Sequence, residues 1–152
     1  MTESLEKSNT GYGSEELDKI VSRLSSTKDS RRKYEYVLWL AKKLPEIPNQ
    51  DINDSIKVKG CVSQVFVLGT LKNGKITWQG YSDALITKGL LALLIMGLDN
   101  LTPLEILNIN INFVKETGLG ASLTPSRANG FLNIFLNMKS QANKFHKLSA
   151  LK

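Results

Sequence analysis

Apolar residues recur along the chain with two different periods, and the switch between them predicts the fold. Leu17, Ile20, Val21 and Leu24 keep the spacing of one helical face. Ser14 precedes Glu15 and Glu16, an N-cap followed by acids in the first turn, so a first helix is expected to run to about Ser25. A second helix is expected from Asp29 or Ser30, with Tyr34, Val37, Leu38, Ala41 and Leu44 on its apolar side and Pro45 and Pro48 ending it. A polar loop follows, from Asn49 to Ser55. The period then becomes that of a strand. Val62, Val65, Phe66, Val67 and Leu68 lead to about Leu71, and Asn73-Gly74 accepts the positive φ angles of a tight hairpin turn. The return strand, Lys75 to Tyr81, carries Ile76 and Trp78 on one face and Thr77 and Gln79 on the other, with Gly80 marking a bulge or a close backbone approach.

Helical spacing returns after Ser82-Asp83, which can cap a helix from Ala84 to about Gly97, the most apolar stretch of the chain and the expected core element. Thr102-Pro103-Leu104-Glu105 is a capping box with proline at the first helical position, opening a short helix to about Leu107. Asn112 to Thr117 reads as another short helix stopped by Gly118. Thr124-Pro125 starts the last helix, expected to about Lys147, with Phe131, Ile134, Phe135 and Met138 facing the core. The order is two helices, a hairpin, then four helical pieces, and it contains no internal repeat. The fold class is α+β: a small antiparallel β-sheet covered by helices. Residues 1–14, rich in Ser, Thr, Gly and Asn, are expected to be a loose segment, 15–147 a single domain and 148–152 a basic tail.

Composition narrows the function classes. With 152 residues and 41% hydrophobic residues, the chain can bury one core. No apolar run reaches the roughly 18 residues of a membrane span, and the polar stretch Met1 to Ser14 has no signal core. The net charge is +6, part of it from Lys139, Lys144, Lys147 and Lys152, which no acid follows after Glu116. Lysines spaced singly along a helix form a solvated face, and no strand combines basic with aromatic residues as an RNA-binding sheet would. Neither nucleic acid nor membrane is therefore expected as a partner. There is one cysteine, which excludes an intrachain disulfide and suits a reducing, cytoplasmic compartment.

That cysteine, Cys61, follows Gly60 at the mouth of the first strand, where a loop on a rigid scaffold can present a reactive side chain. A lone cysteine is more often a small buried hydrophobe than a nucleophile. His146, the one histidine, lies near the end of the last helix and reads as a surface residue. One cysteine and one distant histidine cannot build a metal site or an iron–sulfur cluster, which need three or four such ligands. There is no phosphate-binding loop and no dinucleotide fingerprint. What remains is a thiol working without a local base, which a sulfur relay permits: the donor supplies an activated sulfur, and the acceptor needs only thiolate character and access.

Four segments, in order and spacing, resemble the SufE family of sulfur-acceptor proteins, which includes the related CsdE. They are Lys33-Tyr34 with Leu44-Pro45; Ser55-Ile56 leading into Gly60-Cys61-Val62-Ser63-Gln64-Val65; Gly80 with Ser82-Asp83-Ala84, Ile86, Lys88-Gly89-Leu90 and Ala92; and Leu123-Thr124-Pro125-Ser126-Arg127 with Gly130. The resemblance spans about Arg32 to Ala142. It implies a fold shared with the IscU/NifU scaffold domain, and a protein that takes persulfide sulfur from a PLP-dependent, SufS-like cysteine desulfurase onto Cys61. The sulfur would pass to a Suf-type scaffold complex for iron–sulfur cluster assembly, and the desulfurase would be stimulated. The chain itself would hold no cofactor, PLP belonging to the partner. It would be a carrier rather than a stand-alone enzyme, and a monomer or weak dimer.

By the same resemblance Asp83 and Arg127 would lie near Cys61. Arg127 would favour the thiolate and persulfide by charge, with a helix N-terminal ion pair as the alternative. Asp83 would cap its helix and hold the loop, with a plain N-cap as the alternative. Gly60, Ser63 and Gln64 would shape the loop, and Lys88 would be solvated helix surface. The thiol is expected to rest partly buried against Val65, Phe66 or helix residues, protected from solvent thiols until the desulfurase docks. Phe66 stands where the family usually has Trp, and Tyr81 where it commonly has an acid. Two other functions fit the same residues: an interaction module of this fold with an inert Cys61, and a cysteine hydrolase that would depend on His146.

Overall fold

The computed structural model describes residues 11–151. Helices α1 (Glu15–Ser26) and α2 (Ser30–Leu40) come first, then β1 (Val65–Lys72) and β2 (Lys75–Ser82), then α3 (Leu85–Leu98), α4 (Pro103–Leu107), α5 (Asn112–Glu116) and α6 (Pro125–Ala150). The expected α+β class, a two-stranded antiparallel sheet covered by helices, is the one observed. Of the segment expected to be loose, residues 1–10 lie outside the described residues. Tyr12 is held against the domain: its N–H donates to Asp18 Oδ1 at 2.7 Å, its carbonyl accepts from the Asn110 N–H at 3.0 Å, and its ring meets Phe113 edge-on. At the other end α6 continues to Ala150, past the expected stop at Lys147, because no proline or glycine follows to break it.

The predicted caps are present except at α3. Ser14 Oγ accepts from the Leu17 N–H, Asp29 caps α2, and Thr102 and Glu105 form the reciprocal capping box of α4. The hairpin turns at Asn73 and Gly74, with φ of 54° and 80°, and its register runs unbroken from Lys72↔Lys75 to Val65↔Ser82. The expected alternation holds, with Ile76 and Trp78 buried. Gly80 marks no bulge. It is a close approach: a Cβ there would lie 2.5 Å from Leu91 Cδ2 of α3. The connector after α2 runs beside the same residue, with Gly80 N–H donating to the Pro45 carbonyl at 2.9 Å and Ile47 N–H to the Gly80 carbonyl at 3.1 Å.

Helix α3 is the centre of the molecule, buried on nearly every side between α1, α2, β2 and α6. Its only strongly exposed apolar residue is Leu85, in its first turn. Helix α6 lies along the other side of the hairpin, against β1. Two expectations about α3 change. Its N-cap is Ala84, with no side-chain cap. Lys88 is not simply solvated: its ammonium sits 3.5 Å from Glu46 Oε1 with the side chain 26% exposed, because the connector beside β2 brings Glu46 within reach.

Candidate functional site

The loop between residues 58 and 65 closes on itself, the Val58 N–H donating to the Val65 carbonyl at 2.8 Å where Lys57 pairs with Phe66. Contacts from α6 and from the bend between β2 and α3 fix it in place. Gly60 takes φ +82°, a conformation suited to glycine, and its carbonyl accepts from Asn133 Nδ2 of α6 at 2.9 Å. A Cβ at Gly60 would stand 2.6 Å from that same amide nitrogen. Asp83 Oδ1 accepts from the Gln64 N–H at 3.0 Å, while the Asp83 N–H donates to the Gln64 carbonyl at 3.3 Å. Asp83 therefore holds the loop but does not cap α3; the side chain that reaches the helix start is Ser82, whose Oγ accepts from the Ala84 N–H. A carboxylate already paired with a strand-end amide is turned away from the helix terminus.

Cys61 sits between these anchors, half-buried and packed at the edge of the core. Its Sγ lies 3.8 Å from the Gly130 carbonyl oxygen of α6. The expected partial burial is observed, with the helix backbone at Gly130 as the near neighbour. A Cβ on Gly130 would meet the sulfur at 3.6 Å, an ordinary van der Waals contact. Burial pushes the Cys61 thiol above its ordinary pKa, because the uncharged form tolerates the apolar surroundings better than a thiolate. The resting residue is thus a protonated thiol at neutral pH.

A hollow of about 240 Å³ opens beside the sulfur, lined by Cys61, Ser63, Thr87, Thr124, Ser126 and Arg127, among others. The structure brings Arg127 to the same hollow as Cys61. Its guanidinium Nη1 donates to the Tyr34 hydroxyl of α2 at 3.4 Å, and none of the ion pairs among the described residues includes it. The helix N-terminal ion pair considered for Arg127 is therefore not what is seen. Gly60 shapes the loop as expected, Gln64 does so through its backbone, and Ser63 lines the hollow. Val62 is 87% exposed next to the thiol, and Leu85, two residues beyond Asp83, is 60% exposed.

His146 is half-buried on α6, sixteen residues beyond Gly130, about 24 Å along the helix at a rise of about 1.5 Å per residue. It is out of reach of the thiol, so the hydrolase alternative lacks its base. No group of three or more His, Cys, Asp and Glu side chains among the described residues is arranged to hold a metal ion. No helix among them is long and apolar enough to cross a membrane.

Asn133, Gly130 and Tyr34 were not among the expected site residues. Asn133 carried a signal: with Asn137 and Gln141 it forms a polar row at intervals of four along α6. Asn133 binds the loop, and Gln141 binds β1, its Nε2 donating to the Val67 carbonyl at 3.0 Å and its Oε1 accepting from the Gly69 N–H at 3.0 Å. Asn137 Oδ1 accepts from the same Gln141 amide at 2.8 Å. Phe66 and Tyr81, the two departures from the family pattern, are cross-strand partners with ring centroids 6.1 Å apart.

Comparison with known proteins bears on this arrangement. Residues 18–142 match the family model SufE, described as an Fe-S metabolism associated domain. A protein of Synechocystis sp. named as an uncharacterised SufE-like protein is 49% identical over 129 residues, covering 85% of this chain and 81% of the relative. The cysteine desulfuration protein SufE of Plasmodium vivax is 41% identical over 116 residues, covering 74% of this chain; the match spans 46% of that longer protein. The solution structure of a hypothetical protein from Thermus thermophilus superposes with a TM-score of 0.74 at 23% identity, covering 86% of this chain and 96% of the other, and shares the fold. The chain belongs to the SufE family.

Proposed function

We propose that this protein is a sulfur carrier: Cys61 accepts sulfane sulfur from the persulfide of a pyridoxal-phosphate-dependent cysteine desulfurase, stimulates that enzyme, and delivers the sulfur to an iron–sulfur cluster assembly scaffold. The observation that carries this reading is a lone, half-buried thiol in a hollow that holds an arginine and no imidazole, on a loop fastened by a few hydrogen bonds. A reducing compartment such as the cytoplasm suits a carrier that must begin as a free thiol.

In the transfer step the Cys61 thiolate attacks the outer sulfur of the donor persulfide. A sulfur–sulfur bond forms at Cys61 and the donor's sulfur–sulfur bond breaks, its electron pair leaving on the donor cysteine. The proton released from the Cys61 thiol restores that thiolate to a thiol, so the exchange needs no outside oxidant or reductant. Handing the sulfur on repeats the same exchange with a thiol of the scaffold.

Before docking, a half-buried, protonated Cys61 is a poor nucleophile. Docking would draw the loop outward by replacing the Asp83–Gln64 and Asn133–Gly60 hydrogen bonds, each worth about 1 kcal/mol net. The freed sulfur would be hydrated, its pKa would fall, and the thiolate would form. The exposed Val62 and Leu85 offer apolar contacts at the mouth of the site to offset that cost.

Incubation with desulfurase and cysteine, followed by intact mass measurement, tests the reading. The mass should rise by that of one sulfur, located on Cys61, and Cys61→Ser should neither gain it nor stimulate the desulfurase. Stimulation retained in Cys61→Ser, with no mass gained by the native protein, would identify an interaction module with an inert cysteine instead.

A further inference from the structure

We infer that Tyr34 is a positioning residue that holds the Arg127 guanidinium over the Cys61 hollow through a neutral hydrogen bond, leaving its positive charge available to an anionic sulfur. The inference rests on the sulfur-carrier reading for the identity of the anion, and on geometry for the rest.

Arg127 occupies the third position of α6, with its N–H 3.4 Å from the capping Thr124 Oγ1. A cation there opposes the positive end of the helix dipole, an arrangement that costs stability unless an anion offsets it. No carboxylate among the described residues does so. The one acceptor its guanidinium meets among them is the Tyr34 hydroxyl, which orients the group without neutralising it. An aspartate or glutamate in that place would orient it equally well but would cancel its charge. The arrangement suits a charge that is absent from the resting site and appears on Cys61 during the transfer, as on a thiolate or a persulfide anion.

Tyr34 is itself fixed. The preceding Lys33 is buried, its ammonium donating to the carbonyl of Leu24 near the end of α1 and, at 3.0 Å, to that of Thr117 just past α5. Ser122 Oγ, two residues before the cap of α6, donates to the Ser30 carbonyl at 3.3 Å. The first turn of α2 is thus tied to three segments, and the half-buried Tyr34 ring packs against the core. The hydroxyl reaches Arg127 from a rigid base.

The test compares alkylation of Cys61 by iodoacetate, which is anionic, with alkylation by neutral iodoacetamide. The ratio of the two rates reads the local positive charge and needs no desulfurase. Arg127→Gln should lower the ratio about threefold, as loss of a solvent-screened charge contact predicts. Tyr34→Phe, which keeps the ring, should lower it in the same direction while leaving the iodoacetamide rate and the melting temperature unchanged. It should also slow persulfide acceptance from a loaded desulfurase. An unchanged ratio in Tyr34→Phe would overturn the inference even if the protein carries sulfur normally. Equal losses with both reagents would overturn it too, by showing a merely structural role. A lowered ratio in a protein that never gains a persulfide would support the positioning of Arg127 while removing the carrier function.

Discussion

Cys61 is controlled by what surrounds its sulfur. The near neighbour is a backbone carbonyl, Gly130, and the groups holding the loop address backbone atoms on either side of the cysteine. Burial raises the thiol pKa, so alkylation by iodoacetamide should increase with pH around a midpoint above the roughly 8.5 of a free cysteine. Asp83→Ala removes the hydrogen bond to the Gln64 N–H. If the loop then opens more readily by about 1 kcal/mol, the rate at pH 7 should rise about fivefold. The midpoint should fall toward that of a free thiol, because a hydrated sulfur ionises more easily. A slower or unchanged rate would show that Asp83 does not restrain the loop. Gly60→Ala should act in the same direction, since both its φ of +82° and the amide of Asn133 oppose a side chain there.

At the scale of elements, the hairpin has an edge to protect. β1 pairs with β2 on one side; on the other, Lys57 bridges Phe66 at the strand's start, and beyond it the edge would leave backbone groups open to water or to a second strand. Gln141 of α6 fills that place with a side-chain amide that meets the Val67 carbonyl and the Gly69 N–H as a neighbouring strand would. Gln141→Leu should therefore cost about 1–3 kcal/mol in urea denaturation, the loss expected when partly buried polar groups lose their partners. The polar row Asn133, Asn137 and Gln141 links this edge to the Cys61 loop, so one helix aligns both the strand and the thiol. The row is plain in the sequence at intervals of four. Its partners are not, because backbone groups of a distant hairpin leave no mark on the helix that binds them. The helices, caps and turn were legible for the opposite reason: Ser14, Thr102, Pro125 and Asn73-Gly74 act on their own immediate neighbours.

Across the whole molecule, α3 supplies the apolar core, and the surrounding helices are joined by polar contacts as well as by packing. Lys33 is the clearest case. Its buried ammonium meets carbonyls at the ends of two helices, where the dipoles present negative charge. Lys33→Met fills similar space but leaves both carbonyls without that donor. The melting temperature should fall by about 5 °C, corresponding to about 2 kcal/mol for a domain of this size. An unaltered melting temperature would mean that water replaces the ammonium without loss. The sequence alone places Lys33 near the start of a helix and cannot show its burial, since lysine is ordinarily solvated.

By itself the amino-acid order determined the succession of helices and hairpin, the α+β class, the uniqueness of Cys61 and the segments that mark the family, because periodicity, caps and short motifs are local. Tertiary structure alone decided that Asp83 leaves α3 uncapped, that Lys88 meets Glu46, that the thiol rests on Gly130, and that Arg127 is steadied by Tyr34. Each of these joins residues far apart along the chain. A side chain with several possible partners chooses among them only after packing has brought one within reach.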